Sequence, residues 1–279
     1  MNVKFENHSI HGKCIFLDNG TVSVGIPLDF GIRVTHFSFC GEENLFFEHP
    51  LDMTAYCTPE GWRHRGGHRI WIAPEGDYVY APDNEPIEYK LLDNGIEVIQ
   101  KEDPWLNIVK SLRLEFLDDT SVKVTNFVKN TGGEVRRCSV WGVTAMKTGG
   151  TEYIDLSVRD RGYQPCHNIT KWYYTNLDDE RVTYKPDGIE LKVLPIDVKF
   201  KIGVGHPDAP VRYELGDTVF IKAYDMDKSR EYPDGNVSYE TYLSGEMVEL
   251  ETLAPLTDIH PGETAEHTEI WMLERKASD

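Results

Sequence analysis

The sequence is poor in helical patterning: no stretch of about a dozen residues repeats apolar side chains at helical spacing. That excludes helix-rich folds. No glycine-rich loop follows a strand pattern, which sets aside the common nucleotide-binding α/β architectures. Short helical turns are expected at most over residues 52–58 and 175–180. No repeat of fixed period suggests a propeller. Cysteine is scarce: the five residues stand at 14, 40, 57, 138 and 166, with no Cys-x-x-Cys pair. Such an odd, scattered set offers no disulfide framework and reads as reduced thiols of a cytoplasmic protein. No apolar run approaches the roughly 18–20 residues needed to cross a bilayer. The opening MNVKFENHSI has no basic start followed by an apolar core, so no signal peptide is expected. Positive charge is also in short supply. With 29 Lys and Arg against 47 Asp and Glu, the net charge is -18, and neither nucleic acid nor an anionic membrane is an expected partner.

What remains is turn chemistry between alternating runs. Asp18-Asn19-Gly20, Asp93-Asn94-Gly95, Asn130-Thr131-Gly132-Gly133 and Pro186-Asp187-Gly188 all fit tight turns, as do Leu117–Thr120 and Pro233-Asp234-Gly235. Asn and Asp tolerate positive φ, and Gly has no Cβ to clash there. Between these turns, Ser121–Val124, Glu190–Val193 and Val198–Val204 alternate polar and apolar residues, the period of half-buried antiparallel strands. Many short strands without helices predict an all-β sandwich or barrel, mostly antiparallel. No Pro/Ser/Gly-rich linker divides the chain, so residues 1–279 are expected to form one domain. Aromatics reach 11%, which suits both strands and the apolar faces of sugar rings.

The densest polar constellation is Gly61–Glu75, GWRHRGGHRIWIAPE. His68, Ile70 and Ile72 fall on one strand face, and Arg69, Trp71 and Ala73 on the other. Gly66-Gly67 lets the backbone bend or a ligand approach closely. His64 and His68 are four apart, a metal spacing on a helix, but the glycine pair opposes a helix and no metal site is expected here. A polar sugar site fits better, with Arg69 and His64 as donors, Trp71 as stacking platform and Glu75 as acceptor. Closure of a sandwich mouth by a charge network is the alternative. A second constellation is Met247–Leu256, where Glu249 and Glu251 share a strand face that either lines a pocket or faces solvent. Trp141 in its mid-chain strand is a candidate for ring stacking or for the core. Lys201 on the polar side of its strand is a candidate contact or a solvated lysine, and Tyr232 before a Pro-Asp-Gly turn is a rim contact or turn packing.

Several phrases resemble galactose-mutarotase-like proteins: Asn19–Val24, Asp29-Phe30-Gly31-Ile32-Arg33-Val34, Asn44-Leu45-Phe46, Glu249–Leu256, His260-Pro261-Gly262-Glu263 and Glu269–Leu273. Gly66–Trp71 and Tyr232–Gly235 resemble an uncharacterised bacterial branch of that superfamily, so the likeness spans nearly the whole chain. It implies a galactose-mutarotase-like β-supersandwich with a concave sugar-binding face and no cofactor. It also implies aldose 1-epimerase-like chemistry on a small sugar or sugar derivative. A Glu base acts on the anomeric hydroxyl and a His acid on the ring oxygen, so the ring opens, turns about C1–C2 and recloses. Carried over, Glu251 in Leu250-Glu251-Thr252 matches the base and His68 is the candidate acid, facing it across a cavity. The family's later histidine has no clean match, with His167 and His206 as possibilities. Those departures leave open a non-catalytic sugar-binding or sensing protein on the same fold.

Overall fold

In the computed structural model, residues 1–49, 58, 60–157, 160 and 162–276 are described. Among them the strands form a 4-stranded, a 10-stranded and an 8-stranded sheet, and every strand pairing within these is antiparallel. Four of the anticipated turns join paired strands, while residues 130–133 and 233–235 lie between strands of different sheets. Asp93 and Asn94 form a two-residue loop between Leu92 and Gly95, which are directly paired, and Pro186-Asp187 do the same between Lys185 and Gly188. Residues 175–180 contain turns rather than a helix. The helical turn expected over 52–58 lies outside the described residues except at Thr58. Among the described residues, no helix is long and apolar enough to cross a membrane.

The 8-stranded sheet carries the site. Its path runs Ile169–Lys171, Phe200–Val204, Tyr239–Leu243, Met247–Leu253, Arg136–Lys147, His68–Ala73 and Arg33–Val34, with Thr257–Ile259 paired at one end of Arg136–Lys147. All residues of Met247–Leu253 and of His68–Ala73 are buried. Period-2 geometry divides these side chains between two environments. One face, with Ile70, Ile72, Val140, Leu250, Ile202 and Phe200, belongs to the apolar core. The core includes Trp271, Phe220, Phe46 and Phe37, whose rings meet at centroid distances of 5.5–6.2 Å. The other face is the floor of a cavity.

Polar groups also cross the core beneath that floor. Lys222 Nζ, on Thr218–Tyr224 of the 10-stranded sheet, donates to the carbonyls of Gly142 and Leu250 and pairs with Glu269 at 3.2 Å. Burial pulls the Lys222 ammonium's pKa down despite that pairing. Burial would push the Glu269 carboxyl up, but Lys222, His68 and His267 around it hold its pKa at about 2. Gly142 makes room for this group: a Cβ there would stand 2.1 Å from Glu269 Oε1 and 3.2 Å from His68 Cε1. Tyr239 and Thr241 hydroxyls donate to the two oxygens of buried Glu152 on the opposing sheet, at 2.6 and 2.7 Å. Such groups are tolerated inside because each is hydrogen-bonded or ion-paired.

Candidate functional site

Strand register writes the cavity floor in rows. Gly203, Glu240, Glu251, Val143 and Arg69 are successive cross-strand partners, and Lys201, Tyr242, Glu249 and Ala145 form the next row. Trp141 lies opposite Trp71 in a third. Of these residues, Arg69, Glu251, Lys201, Tyr242, Glu249, Trp71 and Trp141 line a cavity of about 690 Å³, within the range of about 300–1,000 Å³ typical of small-molecule sites. His49, His64, Trp62, Glu75, Tyr80 and Tyr174 contribute to its walls.

Two ion clusters hold the floor. In the first, Arg69 Nη1 donates to Glu249 Oε1 at 2.6 Å, and His64 Nε2 lies 2.9 Å from the same oxygen. Burial would raise the Glu249 carboxyl, but Arg69's charge and the His64 hydrogen bond dominate and hold it well below the ordinary carboxylate range. The Arg69 guanidinium also stacks 4.0 Å from the Trp71 ring centre. The second cluster starts from a conflict. Glu240 and Glu251 are directly opposed on neighbouring strands, where like charges repel. Lys201 resolves it by reaching both carboxylates, at 2.8 and 3.0 Å, with its ammonium 4.8 Å from the ring centres of Trp141 and Trp172.

The two clusters leave their carboxylates in different states. Burial pushes the Glu251 carboxyl up, Lys201 pulls it back, Glu249 pushes it up again, and the balance is a pKa of about 7. Glu249, on the same strand face, stays ionised. Two carboxylates with pKa values driven apart are the arrangement that acid/base chemistry at neutral pH requires. Glu251 Oε1, Glu240 Oε1 and the Trp141 indole Nε1 are buried, with no hydrogen-bond partner among the described residues. A hydroxylated ligand in the cavity can satisfy Glu251 and Trp141, which line it.

Aromatic rings supply the rest of the wall. Trp62, Trp71 and Tyr80 meet pairwise at 5.1–5.5 Å, and Trp71 meets Trp141 at 5.4 Å. Tyr80 also hydrogen-bonds to Glu75 through its hydroxyl.

Of the ten residues singled out from the sequence, Glu251, Glu249, Arg69, Trp71, Trp141, Lys201, Glu75 and His64 line this cavity together. Two do not. His68 is the substantive correction: it lies one residue from Arg69 on its strand and so points to the opposite face. There it is fully buried, with Nδ1 2.9 Å from Thr144 Oγ1, Nε2 3.0 Å from Asn126 Oδ1, and its ring 4.8 Å from Trp271. Burial drives its pKa down to about 4. It does not face Glu251 across the cavity. Tyr232 is likewise buried outside it, its ring 4.9 Å from His206 and its hydroxyl accepting from the Asp227 amide. His206 and His167 do not line it either, and His167 pairs with Asp208 at 3.3 Å. The sequence reading missed Tyr242, which lines the cavity, and Glu240, which pairs with Lys201, although a signal existed. The short Ser244-Gly245-Glu246 connection pairs Leu243 with Val248, which sets Tyr242 opposite Glu249 and Glu240 opposite Glu251.

This chain has the galactose-mutarotase-like β-sandwich fold, as the sequence phrases implied. A galactose mutarotase-like protein from Clostridium acetobutylicum superposes with a TM-score of 0.59 at 12% identity, covering 99% of each chain. One from Lactobacillus casei gives 0.60 at 10% identity, over 94% of this chain and 100% of its own. The galactose 1-epimerase from Lactobacillus acidophilus gives 0.53 at 10% identity, over 99% of this chain and 100% of its own. No protein-family model and no curated protein matches the sequence. Identities this low carry the fold across and not the catalytic residues.

Proposed function

We propose that the cavity binds a free sugar and that the protein is an aldose 1-epimerase-like enzyme in which Glu251 is the general base. The observation that carries this reading is Glu251 itself. It is a buried carboxyl with a pKa of about 7, one oxygen held by Lys201 and the other unpartnered, in a cavity walled by tryptophans. A base poised near the working pH is efficient at taking a proton from an anomeric hydroxyl. The tryptophan faces suit the apolar face of a pyranose, and Arg69, His64 and Glu75 suit its hydroxyls. The two buried cations of the cavity, Arg69 and Lys201, are already matched to carboxylates. Among the described residues this leaves only the exposed Lys199 at its edge for a phosphate, which favours an uncharged sugar. The galactose 1-epimerase among the structural neighbours supports the same reaction class. On this reading residues 1–279 act as one unit.

A second reading, sugar binding without turnover, is favoured by one observation. Burial lowers the pKa of both cavity imidazoles, His64 and His49, the latter to about 3. At neutral pH neither supplies a protonated acid for the ring oxygen. NMR exchange between the α and β anomers of an aldose panel separates the two readings. The epimerase reading expects acceleration over buffer that Glu251→Gln abolishes. Saturable binding without acceleration selects the second, and no binding of any saccharide rejects both.

A further inference from the structure

The hairpin joining Asn2–His8 to Gly12–Asp18 brings two histidines against a carboxylate that the sequence places far away. His8 and Gly12 are cross-strand partners, and the turn between them projects His8 and His11 side by side, their rings stacked 5.1 Å apart at 13°. Glu48 reaches them from a segment bridged to Gly66. His11 Nε2 lies 2.9 Å from Glu48 Oε1 and His8 Nε2 lies 3.8 Å from the same oxygen. One donor atom from each of the three residues falls within 4.8 Å of the others.

A hydrogen-bonded pair explains only half of this. His11 with Glu48 is a complete contact, but 3.8 Å is too long for a hydrogen bond from His8. His8 Nε2 nevertheless stands beside the same carboxylate oxygen. A single cation accounts for both. Around a tetrahedral metal with bonds of about 2.0–2.2 Å, neighbouring ligand atoms stand about 3.3–3.6 Å apart. The two imidazole–carboxylate separations of 2.9 and 3.8 Å bracket that value, and the third lies within 4.8 Å. A small movement of the partly exposed His8, whose Nδ1 accepts the Ile10 amide, completes the triangle. His11 is buried and fixed, with its ring 5.9 Å from Phe30, so the site is half preformed.

We propose that His8, His11 and Glu48 form a binding site for one divalent transition-metal ion of the zinc or cobalt type. Two imidazoles and one carboxylate suit such a borderline ion, whereas calcium and magnesium prefer oxygen ligands throughout. The remaining coordination positions fall to water. The site stands apart from the sugar cavity and does not depend on the function proposed for it. It touches that cavity indirectly: the residue after Glu48, His49, lines the wall and meets the His64 ring at 4.9 Å. A bound ion would therefore brace the segment carrying His49 against the N-terminal hairpin.

The test uses full-length, tag-free protein stripped with chelator, then titrated with Zn(II) by calorimetry and with Co(II) by visible absorption. One ion per chain is expected, with d–d bands for Co(II) and a Tm raised by roughly 5 °C at a hundredfold excess over Kd. His8→Ala is expected to weaken binding at least tenfold, since even outer-shell ligand partners contribute roughly 10–100-fold. The metal-free Tm of that variant should stay close to that of the parent. Glu48→Gln should weaken binding likewise, whereas His260→Ala, exposed elsewhere, should not. Failure to bind one equivalent below about 100 µM, or unchanged affinity in both His8→Ala and Glu48→Gln, overturns the site.

Discussion

Glu251→Gln should make the protein relatively more stable as pH rises, while removing its proposed chemistry. Burial lifts the Glu251 carboxyl from its ordinary 4.5 to about 7, against the pull of Lys201. A carboxyl whose pKa is raised by folding contributes stability that is fully present below 4.5 and is lost as pH rises through 7. At 1.36 kcal/mol per pH unit, the full loss is about 3 kcal/mol, most of which falls between pH 5 and pH 8. Gln has the shape of the protonated acid and carries no such loss. Urea unfolding of both proteins at pH 5 and pH 8, with matched m-values, should show the stability difference moving by about 2–3 kcal/mol in favour of the variant. A difference that does not change with pH, or that moves against Gln as pH rises, refutes the assignment of a carboxyl titrating near neutrality.

Arg69→Met strands the buried, ionised Glu249 with only His64 beside it, and should cost about 3–5 kcal/mol in chemical denaturation at pH 7. Gly142→Ala drives a Cβ against Glu269 Oε1 in the packed interior and should cost about 1–3 kcal/mol or more, measured as a lower unfolding midpoint. His68→Gln removes a hydrogen-bonded group of the core and should lower stability by about 1–3 kcal/mol, yet leave sugar affinity within about twofold by calorimetry. A large loss of affinity with unchanged stability would restore His68 to the site. The buried histidines act on the acid side of the stability curve. Burial depresses His36, His68 and His267 to about 4, and they bind protons more readily in the unfolded chain. Their contribution should therefore fall as pH drops from about 6.5 toward 4, opposing the gain from Glu251 and Glu152. The stability gap between the parent and His68→Gln should narrow over that range in urea unfolding at a series of pH values.

The fold was legible because its signals are local. Asp93-Asn94 and Pro186-Asp187 close two-residue loops, and each such loop fixes the pairing of the strands it joins. Much of the site was legible for a related reason: alternation assigns side chains to faces, so Arg69 with Trp71, and Glu249 with Glu251, had to travel together. What alternation does not give is which face is the cavity. His68 carried the polarity of a site residue, but its neighbour Arg69 belongs to the cavity, and strand parity then sends His68 into the core. There Thr144 and Asn126, from two other strands, meet an imidazole that the sequence reading assigned to a ligand. The same non-locality hid Glu48 from His8 and His11, and Glu240 from Lys201. In each case the partner lies on another segment, Glu48 in a connection and Glu240 on a neighbouring strand, and only the assembled fold brings the groups within reach. A polar residue next to a cavity residue in a strand is thus evidence against its own membership of that cavity, whereas Glu240, directly across the sheet from Glu251, meets it through the shared Lys201.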